Sequence, residues 1–290
     1  MAIDGFIPTI WSAQLLTSLK KSLIFGQQGV LNTDYEGEIE NVGDTVKINA
    51  IGPIQVKDYT KNGTIETPDQ LTEAQSFLTI DQAKYFNFMV DDIDAVQTKP
   101  KVMGAAMVEA AYALANQADQ YLATMMAAGA AESIGTTASP ETIAAESDAY
   151  NFMLDLKVAL DEKNVPEIGR FIIIPAWYEG QLNKDDRFTG SPVQSVASNS
   201  MLNGQVRHVA GFDVLTSNNV ISDGSGVGTT GDDYQIVAGH RMATSFADQI
   251  SKIEAYRPED RFADAVKGLH VYGAKVIRPE ALVKLTITRP

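Results

Sequence analysis

An α+β fold is predicted by three features of this 290-residue chain: short β-like runs between about Thr33 and Ala83, one long alanine-rich helical pattern from about Pro100 to Ala128, and mixed helical and strand-like runs from residue 148 onward. Apolar residues make up 44% and charged residues 21%, proportions that support a real core in one large domain or two intertwined ones. No run of eighteen apolar residues occurs, and the opening MAIDGFIPTIWSAQLLTSLKK places its lysines after its apolar part. Neither a membrane span nor a secretory signal is indicated. The chain has no cysteine, which removes disulfides, thiolate metal sites and cysteine nucleophiles and is compatible with a reducing cytoplasm.

Residues 9–25, TIWSAQLLTSLKKSLIF, place Trp11, Leu15, Leu19 and Leu23 at four-residue intervals. They predict one stripe of an amphipathic helix, interrupted by Gly26 and Gly29, that packs either on the chain's own core or, as an arm, on a neighbouring subunit. GDTVKINAI predicts a strand, the Asn62-Gly63 pair a tight hairpin turn, and QSFLTIDQAKYFNFMV alternates before becoming nearly continuous. The intervening IGPIQVKDYTKNGTIETPDQLTE is too polar to build a core of its own and is expected to project as a hairpin or loop. In the long helix, Met103, Met107, Ala110, Leu114, Ala118, Tyr121 and Met125 recur at intervals of four and three. Pro100 suits its start, and at 1.5 Å per residue it spans roughly 40 Å. Gly129 and GAAESIGTTASPETIAAES predict a weakly structured connection to a second helix at 148–163, with Phe152, Leu156 and Leu160 on one face. Phe171 to Ile174 then predict a buried strand stopped by Pro175 before a short helix. Further strands are expected in VRHVAGFDVLTSNNV, YQIVAGH and ISKIEAYR, and a last one or pair in DAVKGLHVYGAKVIRPEALVKLTIT.

Residues that could carry chemistry are few. Asp91, Asp92 and Asp94 crowd at the junction between an aromatic strand and the long helix, where turn and cap roles suit them better than metal binding. A calcium loop would need oxygen ligands at alternating positions closed by a bidentate glutamate, and none follows. Gly224, Gly226, Gly228 and Gly231 lack the lysine and hydroxyl residue of a nucleotide-binding loop and read as a surface loop. Ser225 between glycines does not make a nucleophile elbow. His208, His240 and His270 are widely spaced, each within a strand-like run, so a shared metal site is not expected. Asp185 with Asp186, and Glu259 with Asp260, sit beside arginines and read as ion-pairing surface. No catalytic, cofactor-binding or metal-binding residue is therefore assigned, and no cofactor is expected. The net charge of −14, without a basic arm or patch, argues against tight nucleic-acid binding while permitting a protein that surrounds nucleic acid without gripping it.

The order of elements, together with VGDTVKI, the run from Tyr85 to Thr98, the helix MGAAMVEAAYALANQADQYLATMMA and RFIIIPAWYEGQL, resembles the major capsid proteins of tailed bacteriophages, which share the Hong Kong ninety-seven fold. That resemblance implies an N-terminal arm over residues 1–34 and an extended β-hairpin loop over 35–82 lying on a neighbouring subunit. It further implies a peripheral domain with its spine helix over 83–129, an axial domain of α/β character over 130–240 and a return to the peripheral domain over 241–290. It implies a virion protein, assembled in the host cytoplasm, that forms hexamers and pentamers of an icosahedral shell around double-stranded DNA, with no enzymatic activity and no membrane. A portal is an expected partner, as are decoration proteins in some shells. Because the chain begins almost directly at the arm, without a long helical scaffolding segment, a separate scaffolding protein is expected. Lys47, Lys57 and Lys61 lie in the proposed loop, but no asparagine follows Asn219, so inter-subunit cross-linking is not expected. An encapsulin-like compartment of the same fold is the alternative, and a soluble α/β enzyme with a dispersed site is a third reading.

Overall fold

The computed structural model describes residues 24–33, 45–51, 58, 61, 73–91, 101–145, 147–185, 208–223, 231–260 and 262–290. The expected helix through Trp11, Leu15 and Leu19, most of the projecting loop, Asp92, Asp94, Asp186, Ser225 and the glycines at 224, 226 and 228 lie outside them.

Two short alternating runs make strands β1 (Thr45–Ile51) and β2 (Glu73–Thr79). They pair antiparallel from Thr45 with Thr79 to Ile51 with Glu73. Among the described residues this ribbon pairs with no other strand. Two residues later β3 (Gln82–Asp91) begins, so the single run read in the sequence is divided in two. The long helix α1 (Lys101–Gly129) follows, close to the expected bounds. Met107, Leu114 and Ala118 are buried as the spacing required, but the buried stripe also takes in Ala111, Ala115, Leu122, Ala123 and Met126, while Tyr121 and Met125 are only half-buried. Small alanines on this face let the helix approach the sheets closely.

The connection expected to be weakly structured carries two short strands instead. β4 (Glu132–Ile134) and β5 (Glu141–Thr142) both pair in parallel with the last strand of the chain, β13 (Leu282–Thr288). That strand would otherwise present its backbone at a sheet edge, which explains why a polar segment with little strand propensity is recruited to it. Helix α2 (Asp148–Glu162) buries Leu156 and Leu160 as expected, with Met153 and Ala149, and half-buries Phe152. It ends at Asn164, whose φ of 56° is the left-handed conformation that asparagine tolerates at a helix end.

β6 (Arg170–Ile174) is buried along its whole length, flanked by β8 (Phe212–Thr216) in parallel and β10 (Asp233–His240) in antiparallel, which is why it is a continuous apolar run without alternation. Its Arg170 is buried, with Nη1 2.7 Å from Asp161 and with Nε and Nη2 donating to the Pro166 and Val165 carbonyls. Helix α3 (Ala176–Leu182) and the short strands β7 (His208–Val209) and β9 (Ile221–Ser222) complete an eight-stranded mixed sheet of order β4-β13-β10-β6-β8-β7, with β5 on β13 and β9 on β10.

The second sheet has three long antiparallel strands in the order β11 (Thr244–Tyr256), β12 (Ala263–Val276), β3. The register of β11 on β12 shifts between Ile250 and Lys252, a bulge that sharpens its twist. After β12 a 3-10 turn at Pro279–Ala281 returns the chain to the eight-stranded sheet through β13. One core joins α1 to both sheets; a separate small one holds Leu78, Ile80, Ala247 and Val271.

Candidate functional site

Among the described residues, the sequence candidates for chemistry are not brought together. Asp91 ends β3, opposite Ala263. His208 is exposed, 3.1 Å from Asp213. His240 is buried at the end of β10, with Nε2 2.9 Å from the Ile168 carbonyl and Nδ1 accepting from the Met242 amide at 3.2 Å. His270 is buried in β12 against the Tyr272 ring, 3.9 Å from Asp248. No group of three or more histidine, aspartate or glutamate side chains is arranged for a metal among the described residues. Glu259 and Asp260 are exposed in the turn after β11. Asp185 corrects its reading as surface: it is buried just beyond α3, because the last turn of that helix folds the chain inward, with the Asp185 amide bonded to the Leu182 carbonyl.

What the geometry does present is a surface. Alternation in β3 turns Phe86 and Phe88 toward the core and Tyr85, Asn87 and Met89 outward. The inward packing is close, since a Cβ at Gly268 would strike the Phe86 ring. Through the register, Tyr85 faces Leu269, Asn87 faces Lys267 and Met89 faces Ala265 on β12, and these in turn face Lys252, Glu254 and Tyr256 on β11. The Tyr256 hydroxyl and the Asn87 amide hydrogen-bond at 3.1 Å across the middle strand. Lys267 lies 2.9 Å from Glu254 and 5.1 Å from the Tyr256 ring centre, and the Glu254 carboxylate raises its pKa. This outer face therefore carries a fixed polar lattice with aromatic and sulfur-bearing side chains standing from it, Tyr85 at 77% exposure. Beyond it, at the tip of the β11–β12 hairpin, Phe262 is 84% exposed.

The other half of the same face is covered by the base of the β1–β2 ribbon. Leu78 and Ile80 pack onto Ala247 and Val271 of β11 and β12, and Lys275 donates to the Phe77 carbonyl at 2.8 Å. The crossing requires Gly273, because a Cβ there would lie 2.5 Å from the Thr79 carbonyl oxygen and 2.9 Å from the Ile80 Cα. At the turn that follows, Asp81 accepts from the Tyr121 hydroxyl of α1 at 3.2 Å. Burial and this carboxylate push the Tyr121 pKa up to about 12, and burial, then Asp81, raise that of Tyr272. Among the described residues, the contacts that hold the ribbon lie at its root.

A second anchor holds the segment at 24–33. Phe25, Val30 and Leu31 are buried, and Asn32 bridges to β11, donating to the Thr244 carbonyl at 3.0 Å and accepting from the Phe246 amide at 3.1 Å. On α1, the buried Asp119 accepts from the amides of Ile24 and Phe25 at 3.0 and 2.8 Å and from Asn219 at 2.9 Å. Burial raises its pKa against the lowering effect of those three bonds. Sequence reasoning missed Asp119; the available signal was an acid set among Ala115, Ala118, Leu122 and Ala123 on the apolar face of a helix.

Residues 73–285 match the family model described as phage capsid protein. A solved structure from Mycobacterium phage Che8 is similar with 29% identity over 91% of this chain and 90% of that one, at a TM-score of 0.74. The capsid structure of cyanophage P-SCSP1u is similar at 18% identity, over 92% and 89% of the two chains, with a TM-score of 0.70. A virus-like particle from Pyrococcus furiosus shares the fold at 11% identity, over 97% and 99% of the two chains, with a TM-score of 0.59. A comparison with proteins of curated function finds no match.

Proposed function

The chain belongs to the phage capsid protein family, with the Hong Kong ninety-seven fold, and from that premise we propose that it is the shell-forming subunit of a tailed phage. As a structural capsid protein it assembles into pentameric and hexameric capsomers of an icosahedral shell around double-stranded DNA, in the host cytoplasm, and has no catalytic role. The observation that carries this reading is the β1–β2 ribbon. An isolated two-stranded ribbon is marginal in water, and among the described residues this one pairs with no further strand and meets β12 where Gly273 admits its root. A second chain lying against it supplies the missing burial, and such a head-to-tail contact closes into a ring when repeated by rotation.

The segments divide accordingly. Residues 1–34 serve as the arm, 35–82 as the extended loop, 83–129 as the peripheral domain with its spine helix, 130–240 as the axial domain, and 241–290 as the return, whose last strand, β13, lies in the eight-stranded sheet. A scaffolding protein and a portal are its partners. The negative net charge keeps the inner wall from adhering to the DNA it surrounds.

Negative-stain electron microscopy with light scattering, on the protein alone and co-expressed with a scaffold, tests the proposal: closed shells or ringed capsomers are expected. A homogeneous monomer under every condition would overturn it. The full-length likeness to the Pyrococcus furiosus particle favours the encapsulin-like compartment as second reading, and particle contents, nucleic acid or protein cargo, separate the two.

A further inference from the structure

A carboxylate in the middle of a packed helix face is costly to bury and is retained where its hydrogen bonds specify something that apolar packing would not. Asp119 is 2% exposed and lies at the meeting of three segments distant in sequence. Its Oδ1 accepts both the Ile24 and the Phe25 amides, the first donors of the turn that closes with Val30 and Leu31 bonded back to Gln27. These donors have no partner within that turn, so the carboxylate caps it from another element. Its Oδ2 accepts from Asn219, which also donates to Asn116 one turn back along α1 at 2.8 Å. Asn219 belongs to the loop after β8, and its own amide is held by Ser217, whose amide in turn bonds the Ile174 carbonyl at the end of β6.

We propose that Asp119 is a clasp that fixes the direction in which the N-terminal segment leaves the spine helix and ties that direction to the 217–220 loop of the eight-stranded sheet. Asn32, bridged to β11, and the buried Val30 and Leu31 hold the far end of the same segment independently, so loss of the clasp loosens the turn that begins at Ile24 about a retained anchor. The clasp is a conformational coupling: motion of the β8–β9 loop reaches the arm through one side chain. The raised pKa of Asp119 agrees with a carboxylate held in place against its desolvation.

Amide hydrogen exchange on the full-length protein, with every variant in the same assembly state, reads the clasp directly. Asp119→Ala is expected to raise exchange about tenfold or more at residues 24–31 and at 217–220 while β6 and β10 keep their protection. The volume-preserving Asp119→Asn retains an acceptor for the two amides but turns a donor toward Asn219, so it is expected to loosen 217–220 and to raise exchange at 24–31 about threefold, less than Asp119→Ala does. The decisive variant is Asn219→Ala, which touches neither Ile24 nor Phe25: it should still raise exchange at 24–31 about threefold, because it takes a donor from Asp119. Unchanged exchange at 24–31 in Asn219→Ala overturns the coupling, and unchanged exchange there in Asp119→Ala overturns the clasp. If Asp119→Ala loosens the whole fold, Asn219→Ala alone decides. Only the consequence for assembly, irregular shells from Asp119→Ala, rests on the proposed capsid function; the exchange result stands even for a protein that forms no shells.

Discussion

In the eight-stranded sheet β6 buries all five of its residues, whereas β3, the edge of the three-stranded sheet, alternates and leaves Tyr85, Asn87 and Met89 on an open face. The first region closes its core with helices, a parallel neighbour and two recruited edge strands. The second leaves aromatic side chains exposed, an edge strand, and a ribbon that pairs with no further strand among the described residues. Burial completed within the subunit makes a stable block, and burial left incomplete makes a surface that another chain can finish.

The largest effect that would sharpen this contrast is expected inside the block. Ile173→Ala, in the middle of β6, should cost about 3 kcal/mol of folding stability, seen as a lower urea midpoint, since the cavity cannot collapse between two strands. A shift near zero would break the view that this sheet is the stable block. Deletion of residues 54–70 should instead leave the urea midpoint almost unchanged and abolish uniform shells by electron microscopy; normal shells would contradict the role of the loop. Gly273→Ala stands between the regions. It drives the ribbon root off β12 at a cost of about 1–3 kcal/mol, detected as raised exchange at residues 73–80 with β10 unaffected.

Smaller effects concern the joints and the open face. Because burial raises the Asp119 pKa above its ordinary 3.8, the folded chain holds that proton more tightly than the unfolded chain. The stability it contributes is greatest at low pH and declines as pH rises through the folded value. Measured as the difference in urea midpoint from Asp119→Asn, the wild type should lose ground as pH climbs above 3.8; a difference independent of pH would remove the buried-carboxylate account. Smallest in the isolated subunit is Tyr85→Ser, expected within about 0.5 kcal/mol of wild-type stability because the side chain is exposed. Its effect should appear in assembly yield instead, and equal yields would show that this face is not where subunits meet.

Local patterns carried much of the fold. The 3.6-residue spacing of α1 and α2, the unbroken apolar run of β6 with Pro175 behind it, and the strand character of QSFLTIDQAKYFNFMV were legible because each depends on neighbours within a few residues. The recruitment of β4 and β5 to β13 was not, since their partner lies some 150 residues away and their own residues have little preference for strand. Asp185 looked like surface because its neighbours are charged, and only the turn after α3 buried it. Asp119 is visible in the sequence as an acid on an apolar face, but its partners at 24, 25 and 219 are a matter of tertiary contact.

By itself, then, the amino-acid order determined the helices α1, α2 and α3, most of the described strands and the lack of thiol chemistry, all through periodicity and composition. Tertiary structure alone decided which strands share a sheet, that Gly273 is the seat of the ribbon, and that a carboxylate in α1 holds the segment at 24–33. Those outcomes depend on close approach between residues far apart in the chain, and close approach leaves no period in the sequence.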